Sequence, residues 1–415
     1  MLRRSVVPAT VSAIAVTAAA GLLALAMAAC HGGGSATAKP GPQPSYTPAP
    51  LAAKLAAVTD PGGLPPQARS VTAFAVPQPW SVDGFGVRAD GDYLAFKATD
   101  LSAPMESHGT DGEKHSEIWV VDTRSGQLYR SAKVDQGMAI ASLYAGAGWL
   151  LRVESAPDAG GGCADPGDCW TWKIYAQKLP DGRPTLLEQA PRPMRQAMVP
   201  YISSDGKAFA WQQGLDDTHG VTMLWRPGLW HPGDAHATRL DTSDEEALVT
   251  IDGDHLFEEV HRTGADGGPG PSTVYREGLD GGGRAQVAKV TSSCCAAVHA
   301  SALAYFGAGR DQAAGLDVLR IAADGTTSTT PLESIAGKTE GFYYASWVDT
   351  DHLVVSSSGG TQVVDLASRG AFTFPTGDAG QTTVAGHAVR TDAGHVEAVV
   401  TDGNSMRETV VEIGF

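Results

Sequence analysis

Apolar and polar positions alternate in short runs along most of this chain. After about residue 67, runs rich in Val, Ile, Leu, Tyr, Phe and Trp are separated by turns of Gly, Asp, Ser and Pro. There is almost no helical periodicity, and the pattern predicts short β-strands joined by turns. The runs recur in a unit of roughly forty to fifty residues, which is typical of a repeat architecture.

Each unit consists of two halves. The first half is a turn rich in Asp and Gly followed by an apolar strand, as in RADGDYLAF, SSDGKAFAW, TIDGDHLFEEV and WVDTDHLVV. The second half appears as EIWVVDTRSGQLYR, IYAQKLPDGRPTLL, DVLRIAADGTTSTTPL and QVVDLASRGAFTF. The units begin near residues 85, 140, 198, 247, 296, 343 and 383. Four antiparallel strands per unit, stacked radially, predict an all-β fold: a β-propeller of seven four-stranded blades, with six or eight still open.

The two ends of the repeat region complement each other. The last unit supplies three strands, in TTVAGHAVRT, HVEAVVT and RETVVEIGF. Ser70 to Val76 is a strand without a unit at the other end of the region. We predict that it becomes the outer strand of the last blade and closes the ring, which removes exposed sheet edges.

The repeat also resembles a known family. SSDGKAFAW is similar to the Ser-Pro-Asp-Gly-Lys repeat of TolB-type β-propellers, with Ser204 in place of the usual proline. RADGDYLAF and VVDTRSG resemble the two halves of the same repeat. The resemblance covers the propeller region and implies its fold, with Asp205 and Gly206 as turn residues rather than as a site.

The first thirty residues have the layout of an export signal. Arg3 and Arg4 precede an apolar run to Met27, and two alanines stand directly before Cys30. This predicts a signal peptide over residues 1–29, removed before a lipid-modified Cys30. An uncleaved anchor is the alternative, because Val11 to Ala29 is just long enough to cross a bilayer. Resemblance to bacterial lipoproteins implies a diacylglycerol on Cys30 that attaches the protein to a membrane.

This anchor predicts where the protein works. The domain would lie outside the cytoplasm, at the outer face of the cell membrane, or in the periplasm or at the outer membrane of a two-membrane cell. Residues 30–66 are rich in Gly, Pro, Ala and Ser, which predicts a disordered, semi-extended tether before a propeller domain over 67–415. Within the tether, LAAKLAAVTD favours at most a brief helical turn.

The charge of the chain excludes one class of partner. Loss of Arg3 and Arg4 with the signal takes the formal net charge from −16 to about −18. Such an acidic chain argues against nucleic acid as a partner and against anionic lipid binding by the body of the domain.

Four cysteines remain after Cys30. Cys163 and Cys169 flank Asp-Pro-Gly-Asp, a sequence that favours a turn, so a disulfide between them is geometrically easy. Cys294 and Cys295 are adjacent, and their pairing would form a tight ring. A zinc site of all four thiolates is the alternative, but export favours disulfides.

The candidate binding residues lie in insertions. If the strands are assigned as above, the loops between second and third strands run over about 99–116, 155–170, 213–220, 261–271 and 307–316, all on one face. Function tends to lie in such loops. The candidates on this face are His108, Asp111, Glu113, His115, Asp165, Asp168, Trp170, Asp216, Asp217, His219, His261 and Arg262.

Individual candidates suggest different chemistry. The density of imidazole and carboxylate in MESHGTDGEKH could ligate a metal, although a solvated loop explains the same residues. Trp170 could stack on a sugar ring or anchor a partner protein, or it could cover the edge of the second blade. The metal state is left open.

No catalytic motif stands out. The sequence lacks a Gly-x-Ser-x-Gly elbow, a phosphate loop, His-Glu-x-x-His and a dinucleotide fingerprint, so no cofactor is predicted. We therefore predict a non-catalytic binding or scaffold module for a protein or glycan of the cell envelope. The alternative is a hydrolase or lyase acting on carbohydrate or peptidoglycan through acidic residues and histidines of the loops, which requires a deep pocket with converging acids.

Overall fold

Described residues of the computed structural model form an all-β protein. They cover 48–59, 64, 68–82, 87–102, 116–133, 139–157, 169–190, 194–195, 200, 202–216, 223–240, 247–260, 272–290, 297–299, 302–306, 316–321, 327–332, 335, 342–357, 360–374, 382–385, 395–402 and 407–414. Their strands fall into seven antiparallel sheets. The predicted all-β propeller is confirmed, and the repeat units correspond to the sheets.

The first strands of successive sheets contact one another, so they lie innermost. From its inner to its outer strand, the first sheet holds β4 (Trp80–Val82) and β5 (Arg88–Asp90), then β6 (Tyr93–Asp100), β7 (Ser116–Asp122), β8 (Gln127–Lys133) and β1 (Ala49–Lys54). The second holds β9 (Ala139–Gly146), β10 (Trp149–Pro157), β11 (Cys169–Lys178) and β12 (Thr185–Gln189), with β13 (Met194–Arg195) also on β11. The third holds β14 (Ile202–Ser204), β15 (Phe209–Asp216), β16 (Met223–Trp230) and β17 (Thr238–Arg239).

The remaining four sheets follow the same order. The fourth holds β18 (Ala247–Asp252), β19 (His255–Val260), β20 (Ser272–Gly278) and β21 (Ala285–Val290). The fifth holds β22 (Ala297–His299), β23 (Ala302–Phe306), β24 (Leu316–Ile321) and β25 (Thr327–Pro331). The sixth holds β26 (Phe342–Trp347), β27 (His352–Ser357), β28 (Gly360–Asp365) and β29 (Gly370–Thr373). The seventh holds β30 (Thr382–Ala385), β31 (His395–Asp402), β32 (Arg407–Gly414), β3 (Ser70–Ala75) and β2 (Ala56–Ala57).

The core lies between neighbouring blades rather than inside any one of them. Ile118 of the first blade packs in one apolar cluster with Leu143 and Leu150 of the second. Comparable clusters join the second blade to the third, the third to the fourth and each later pair, and one joins the seventh to the first. Both faces of a blade are therefore buried, which explains the nearly continuous apolar runs in its middle strands.

The ring closes as the sequence predicts. β3 pairs with β32 along its whole length, from Ser70 opposite Gly414 to Ala75 opposite Thr409. Phe74 of this strand is buried in the cluster between the last and first blades. Glu408 adds a polar contact, because its carboxylate accepts hydrogen bonds from the Ser81 hydroxyl at 2.7 Å and from the Val82 N–H at 2.5 Å, both on β4.

A second closing element precedes β3, in a stretch for which the sequence predicts part of a disordered tether. Residues 48–58, which we call the strap, pair first with the outer strand β8 of the first blade and then with β3 of the last. Between the two pairings, Leu55 is buried in the cluster that joins these blades. The strap is extended in both halves, so the predicted helical turn in LAAKLAAVTD is wrong over these residues. The tether prediction upstream of residue 48 lies outside the described residues.

The Asp-Gly turns link one blade to the next. Asp205 accepts hydrogen bonds from the backbone N–H groups of Lys207 and Ala208 in its own turn. Its other oxygen accepts the N–H of Gly253, in the equivalent turn of the fourth blade, at 3.1 Å. Asp90 makes the same kind of bond to the N–H of Gly148 in the second blade. Both aspartates therefore act as turn residues, as predicted for Asp205.

We expect replacement of Asp205 by Ala to lower the free energy of unfolding by about 1–3 kcal/mol, because three backbone donors lose their acceptor in a buried turn. Asp280→Ala is the matched control, since Asp280 lies in an exposed turn and accepts one backbone N–H within it. Its loss should stay within about 0.5 kcal/mol. Urea unfolding of both variants measures the difference, and equal losses would contradict the linking role.

Candidate functional site

The two ends of the ring are built differently. At one end, which we call the loop face, the second strand of a blade finishes and the third begins, as between β6 and β7 or between β10 and β11. The long insertions of the sequence connect these strand ends. At the other end, the turn face, short turns join the first strand to the second and the third to the fourth. The candidate binding residues belong by their chain position to the loop face.

Most of those candidates lie outside the described residues. This holds for His108, Asp111, Glu113, His115, Asp165, Asp168, Asp217, His219, His261 and Arg262, and also for Cys30, Cys163, Cys294 and Cys295. Three of the predicted residues are described: Cys169, Trp170 and Asp216. Asp216 is the last residue of β15, opposite Met223 on β16, so it stands at the loop face.

Cys169 and Trp170 open β11. Cys169 is disulfide-bonded, and the other cysteines of the chain lie outside the described residues, so its pairing with Cys163 stays a prediction. Trp170 is opposite Pro157 on β10 and Met194 on β13. Only 6% of its surface is exposed. Of the two interpretations of Trp170, the geometry favours packing at the edge of the second blade over an exposed aromatic anchor.

Buried polar side chains lie beneath the loop face. Many of them occupy the loop-side halves of second and third strands, although Gln177 and Glu277 are buried near the turn face. In the first two blades and the fourth, those on the loop side are Lys97, Ser116, Glu117, Glu154, Ser155, Glu258, Glu259, Ser272 and Thr273. None of these residues is among the candidates predicted from the sequence, because charged residues inside an apolar strand predict an outward-facing position.

Ion pairs account for several of the buried charges. Glu117 accepts a hydrogen bond from the Trp119 indole at 2.8 Å and one from Arg130 on β8 at 2.7 Å. Arg284 bonds Glu258 at 2.7 Å and stacks over Tyr275 at 3.9 Å. Since a buried charge is costly unless it is paired, these contacts allow carboxylates to lie inside the blades.

The second blade contains the most enclosed of these pairs. Arg152 donates to Glu154 at 2.7 Å, and both side chains are about 6% exposed. The Arg152 guanidinium also lies 4.8 Å from the centre of the Tyr175 ring. Burial and the nearby Glu154 carboxylate raise the pKa of Tyr175, although Arg152 opposes them. All three residues therefore hold one another in place and stiffen the strands that carry the second loop.

A further carboxylate joins two blades. Glu188 of β12 accepts the Trp211 indole N–H of the third blade at 3.0 Å, and it pairs with Arg239 at 3.0 Å. The Glu188 side chain is 1% exposed. This contact fixes the second blade against the third on the rim of the ring.

Several titratable groups of the turn face are hydrogen-bonded within their own turns. Burial acts to raise the pKa of Asp122, but the backbone N–H donors of Arg124 and Ser125 outweigh it, so the pKa is lowered. The pKa of Asp349 is also lowered. Burial acts to raise it, but hydrogen bonds to its carboxylate from two backbone N–H groups and from the His352 ring outweigh burial. Among the described residues, no group of three or more His, Cys, Asp or Glu is arranged to hold a metal ion.

One histidine lies beside the closing strand. The Nδ1 atom of His395, on β31, is 2.6 Å from a Glu412 carboxylate oxygen on β32. This hydrogen bond raises the pKa of His395 above the usual 6.5, against the effect of burial. Glu412 is opposite Thr72 of β3 and Glu397 of β31, so the pair borders the strand that closes the ring.

This pair predicts a pH dependence of stability. The raised pKa of His395 means that the pair stabilises the fold fully below 6.5, and that this contribution is lost as pH rises through the folded-state value. His395→Gln, which cannot be charged, should therefore lower Tm more at about pH 5.5 than at about pH 9. Thermal unfolding of both proteins at the two pH values measures this. A difference in Tm that grows toward alkaline pH would contradict the assignment.

Comparison with known proteins supports the fold. No family model matches this chain, and no curated protein matches its sequence. Its structure is similar to the β-propeller domain of the Trilobed protease from Pyrococcus furiosus, with a TM-score of 0.52 and 10% identity over 83% of this chain and 94% of that one. It is also similar to Pyrococcus horikoshii acylaminoacyl peptidase, with a TM-score of 0.51 and 10% identity over 77% of this chain.

These similarities extend to the fold alone. The aligned part is 49% of the acylaminoacyl peptidase chain, so this chain spans about half the length of that protein. The Pyrococcus furiosus propeller has an open velcro topology. Here, in contrast, β3 joins β32 and the strap crosses the same junction.

Among the described residues there is no helix long and apolar enough to cross a membrane.

Proposed function

We propose that this protein is a membrane-tethered, extracytoplasmic β-propeller that binds an envelope protein or glycan through its loop face and has no catalytic role of its own. The observation that carries the proposal is the difference between the two ends of the ring. Several aspartates of the turn face, such as Asp205, accept backbone N–H groups, whereas the long insertions belong to the other end. Ion pairs beneath that end, such as Arg152 with Glu154, make it a stiff platform for loops.

The shifted pKa values among the described residues come from structural contacts. The lowered values of Asp122, Asp349 and Asp365 come from turn hydrogen bonds that outweigh burial, and the raised value of His395 comes from an ion pair. Each of these groups is explained by a contact that builds the fold. An acid and a base poised for catalysis would instead face each other across an open pocket.

The tether is the second part of the proposal. Signal removal before Cys30 and attachment of a lipid there would place the propeller at the outer face of a membrane, in the manner of bacterial lipoproteins. TolB-type repeats and a Cys163–Cys169 disulfide belong to the same proposal. Cys30→Ser should move the protein from the membrane fraction to the soluble extracytoplasmic fraction; continued retention of this variant in the membrane fraction would favour an uncleaved anchor.

Capture from envelope extract tests the loop face. The full-length protein is compared with a variant carrying His108→Ala and His115→Ala in the first loop. The control changes His231 and His236, two exposed histidines of the turn face, to alanine. We expect the loop variant to lose a partner that the control retains. If all three proteins capture the same molecules, these loop histidines do not form the binding surface.

The same proteins test the alternative. An envelope hydrolase or lyase would release sugar or peptide fragments from purified cell-wall material, and loss of carboxylates such as Asp165 and Asp217 would stop the release. The two peptidase neighbours raise a related case, in which the propeller serves an enzyme carried by a partner. Fragment release that appears only with a captured partner would indicate that arrangement.

A further inference from the structure

The strap is held differently from the middle strands of the blades. Ala49 and Pro50 pair with Arg130 and Tyr129 of β8, the register shifts, and Lys54 then pairs with Gln127. Most side chains of β1 are exposed, and Leu51 is half-buried against the core. The strap therefore depends on backbone bonds and a few apolar anchors, unlike the blade strands that are buried on both faces.

The main anchor is Leu55, at the crossing from the first blade to the last. It is 6% exposed and packs in the cluster between these blades. Its N–H donates to the Gly126 carbonyl at 3.0 Å. A Cβ atom on Gly126 would lie 2.7 Å from the Leu55 carbonyl oxygen, and the φ of Gly126 is +69°. Only glycine leaves room for the strap at this point.

Two further bonds complete the contact. The Gln127 side chain donates to the Leu51 carbonyl at 2.7 Å, and the Val58 N–H donates to the Ala73 carbonyl of β3 at 2.9 Å. The strap thus occupies a defined position along the edges of two blades. The outer strand of a sheet can accept any extended segment that satisfies its free backbone groups and fits its side-chain pockets.

We infer that the edge of β8, together with the pocket of Leu55 beside Gly126, is a strand-addition site that the strap fills within its own chain and that the strap of a second copy can fill instead. Every copy carries the segment that fits. Residues 59–69 separate the strap from β3 along the chain, and the pairing of β3 with β32 does not involve the strap. Exchange of an identical element is a known, low-cost route to dimers.

The inference does not depend on the proposed function. A strap attached to its own chain has a high effective concentration, so it outcompetes a strap in solution. A change that weakens attachment within the chain should therefore open the site to an added strap. A substitution that weakens the strap's attachment to its own chain is therefore expected to increase the protein's affinity for an added strap peptide.

The experiment measures binding of a fluorescent peptide of residues 47–58, TPAPLAAKLAAV, to the full chain by anisotropy. Leu55→Ser in the chain should increase affinity for this peptide at least about tenfold over the unchanged chain, because the chain's own strap no longer fills the pocket. Ala52→Ser, at an exposed strap position, is the matched control and should leave the weak binding unchanged. A peptide carrying both Leu51→Ser and Leu55→Ser should not bind.

Gly126→Ala provides the decisive comparison. It should release the strap as Leu55→Ser does, but it should not bind the peptide, since the new Cβ blocks the Leu55 carbonyl of any strap. Hydrogen exchange of the β8 amides confirms release, and circular dichroism confirms that the ring is folded. Leu51→Ser replaces Leu55→Ser if the latter unfolds. If folded Leu55→Ser, or Leu51→Ser in its place, has exchanging β8 amides and still fails to bind the peptide, or if Gly126→Ala binds it equally well, the strand-addition site is refuted.

Discussion

Replacing Phe74 by Ala is expected to lower the free energy of unfolding by about 3–5 kcal/mol, one of the two largest effects predicted for this chain. Phe74 is 3% exposed, lies on the closing strand β3 and packs in the cluster between the last and first blades. Its loss would leave a cavity at the junction where the first and last blades meet and the ring closes. Urea unfolding of the full chain measures the change.

Val71→Ala is the matched control on the same strand. Val71 is opposite Ile413 on β32 but is 40% exposed, so its loss removes little buried surface. The expected change is within about 1 kcal/mol. Hydrogen exchange adds a local test, because β3 and β32 should open in the Phe74→Ala protein before the middle blades do. Similar losses for the two variants would mean that β3 is not packed as described.

Gly146→Ala should cost about 1–3 kcal/mol or more, through a different mechanism. Gly146 ends β9 in the second blade, where its Cα faces the Asp205-Gly206 turn of the third. A Cβ atom on it would lie 2.8 Å from the Gly206 Cα atom and 2.9 Å from the Gly206 carbonyl oxygen. Both contacts are with backbone, so no side chain can move aside, and the two blades must separate locally.

Gly370→Ala serves as the control for this substitution. Its Cβ would meet only the Ser368 hydroxyl at 3.2 Å, at the end of a short side chain that donates to Asp365. We expect a change within about 0.5 kcal/mol there. Thermal and urea unfolding of the two variants compare a backbone clash between blades with a contact that can relax. A Gly146→Ala protein as stable as the parent would show that these turns are not in contact.

Most of the fold could be predicted from the sequence because the propeller repeats one local pattern. The Asp-Gly turn before an apolar strand recurs in RADGDYLAF and SSDGKAFAW, and each copy became the hairpin of the first two strands of a blade. Ser70 to Val76 was recognisable because a unit with three strands lacked a fourth. Because the pattern is repeated, each copy gives independent evidence for the same hairpin.

The strap could not be read in this way. Its segment PAPLAAKLAAV is rich in alanine, and its anchors Leu51 and Leu55 are four residues apart, the spacing of one helical face. Pairing with β8 and β3 outweighs this preference, since strand partners are already present at both edges. Such a tertiary effect leaves no local pattern.

The candidate site was predicted less well, for two reasons. Trp170 was taken as a loop residue, yet CWTWKIYAQK alternates bulky and polar positions, and Trp170 and Trp172 share the buried face of a strand. The alternation was a usable signal. The ion pair of Arg152 and Glu154 had no such signal, because the partner that encloses it, Tyr175, lies on the neighbouring strand β11 and not in LRVES.

The sharing of each apolar cluster between adjacent blades has a consequence for how such a molecule could change in evolution. Deletion of one entire repeat would bring into contact two blade faces whose side chains do not fit each other. Every remaining sheet would then have to tilt by a new angle for the circle to meet again. Gain or loss of a repeat is thus a change to all junctions at once, while the length of a single insertion can drift without disturbing any of them.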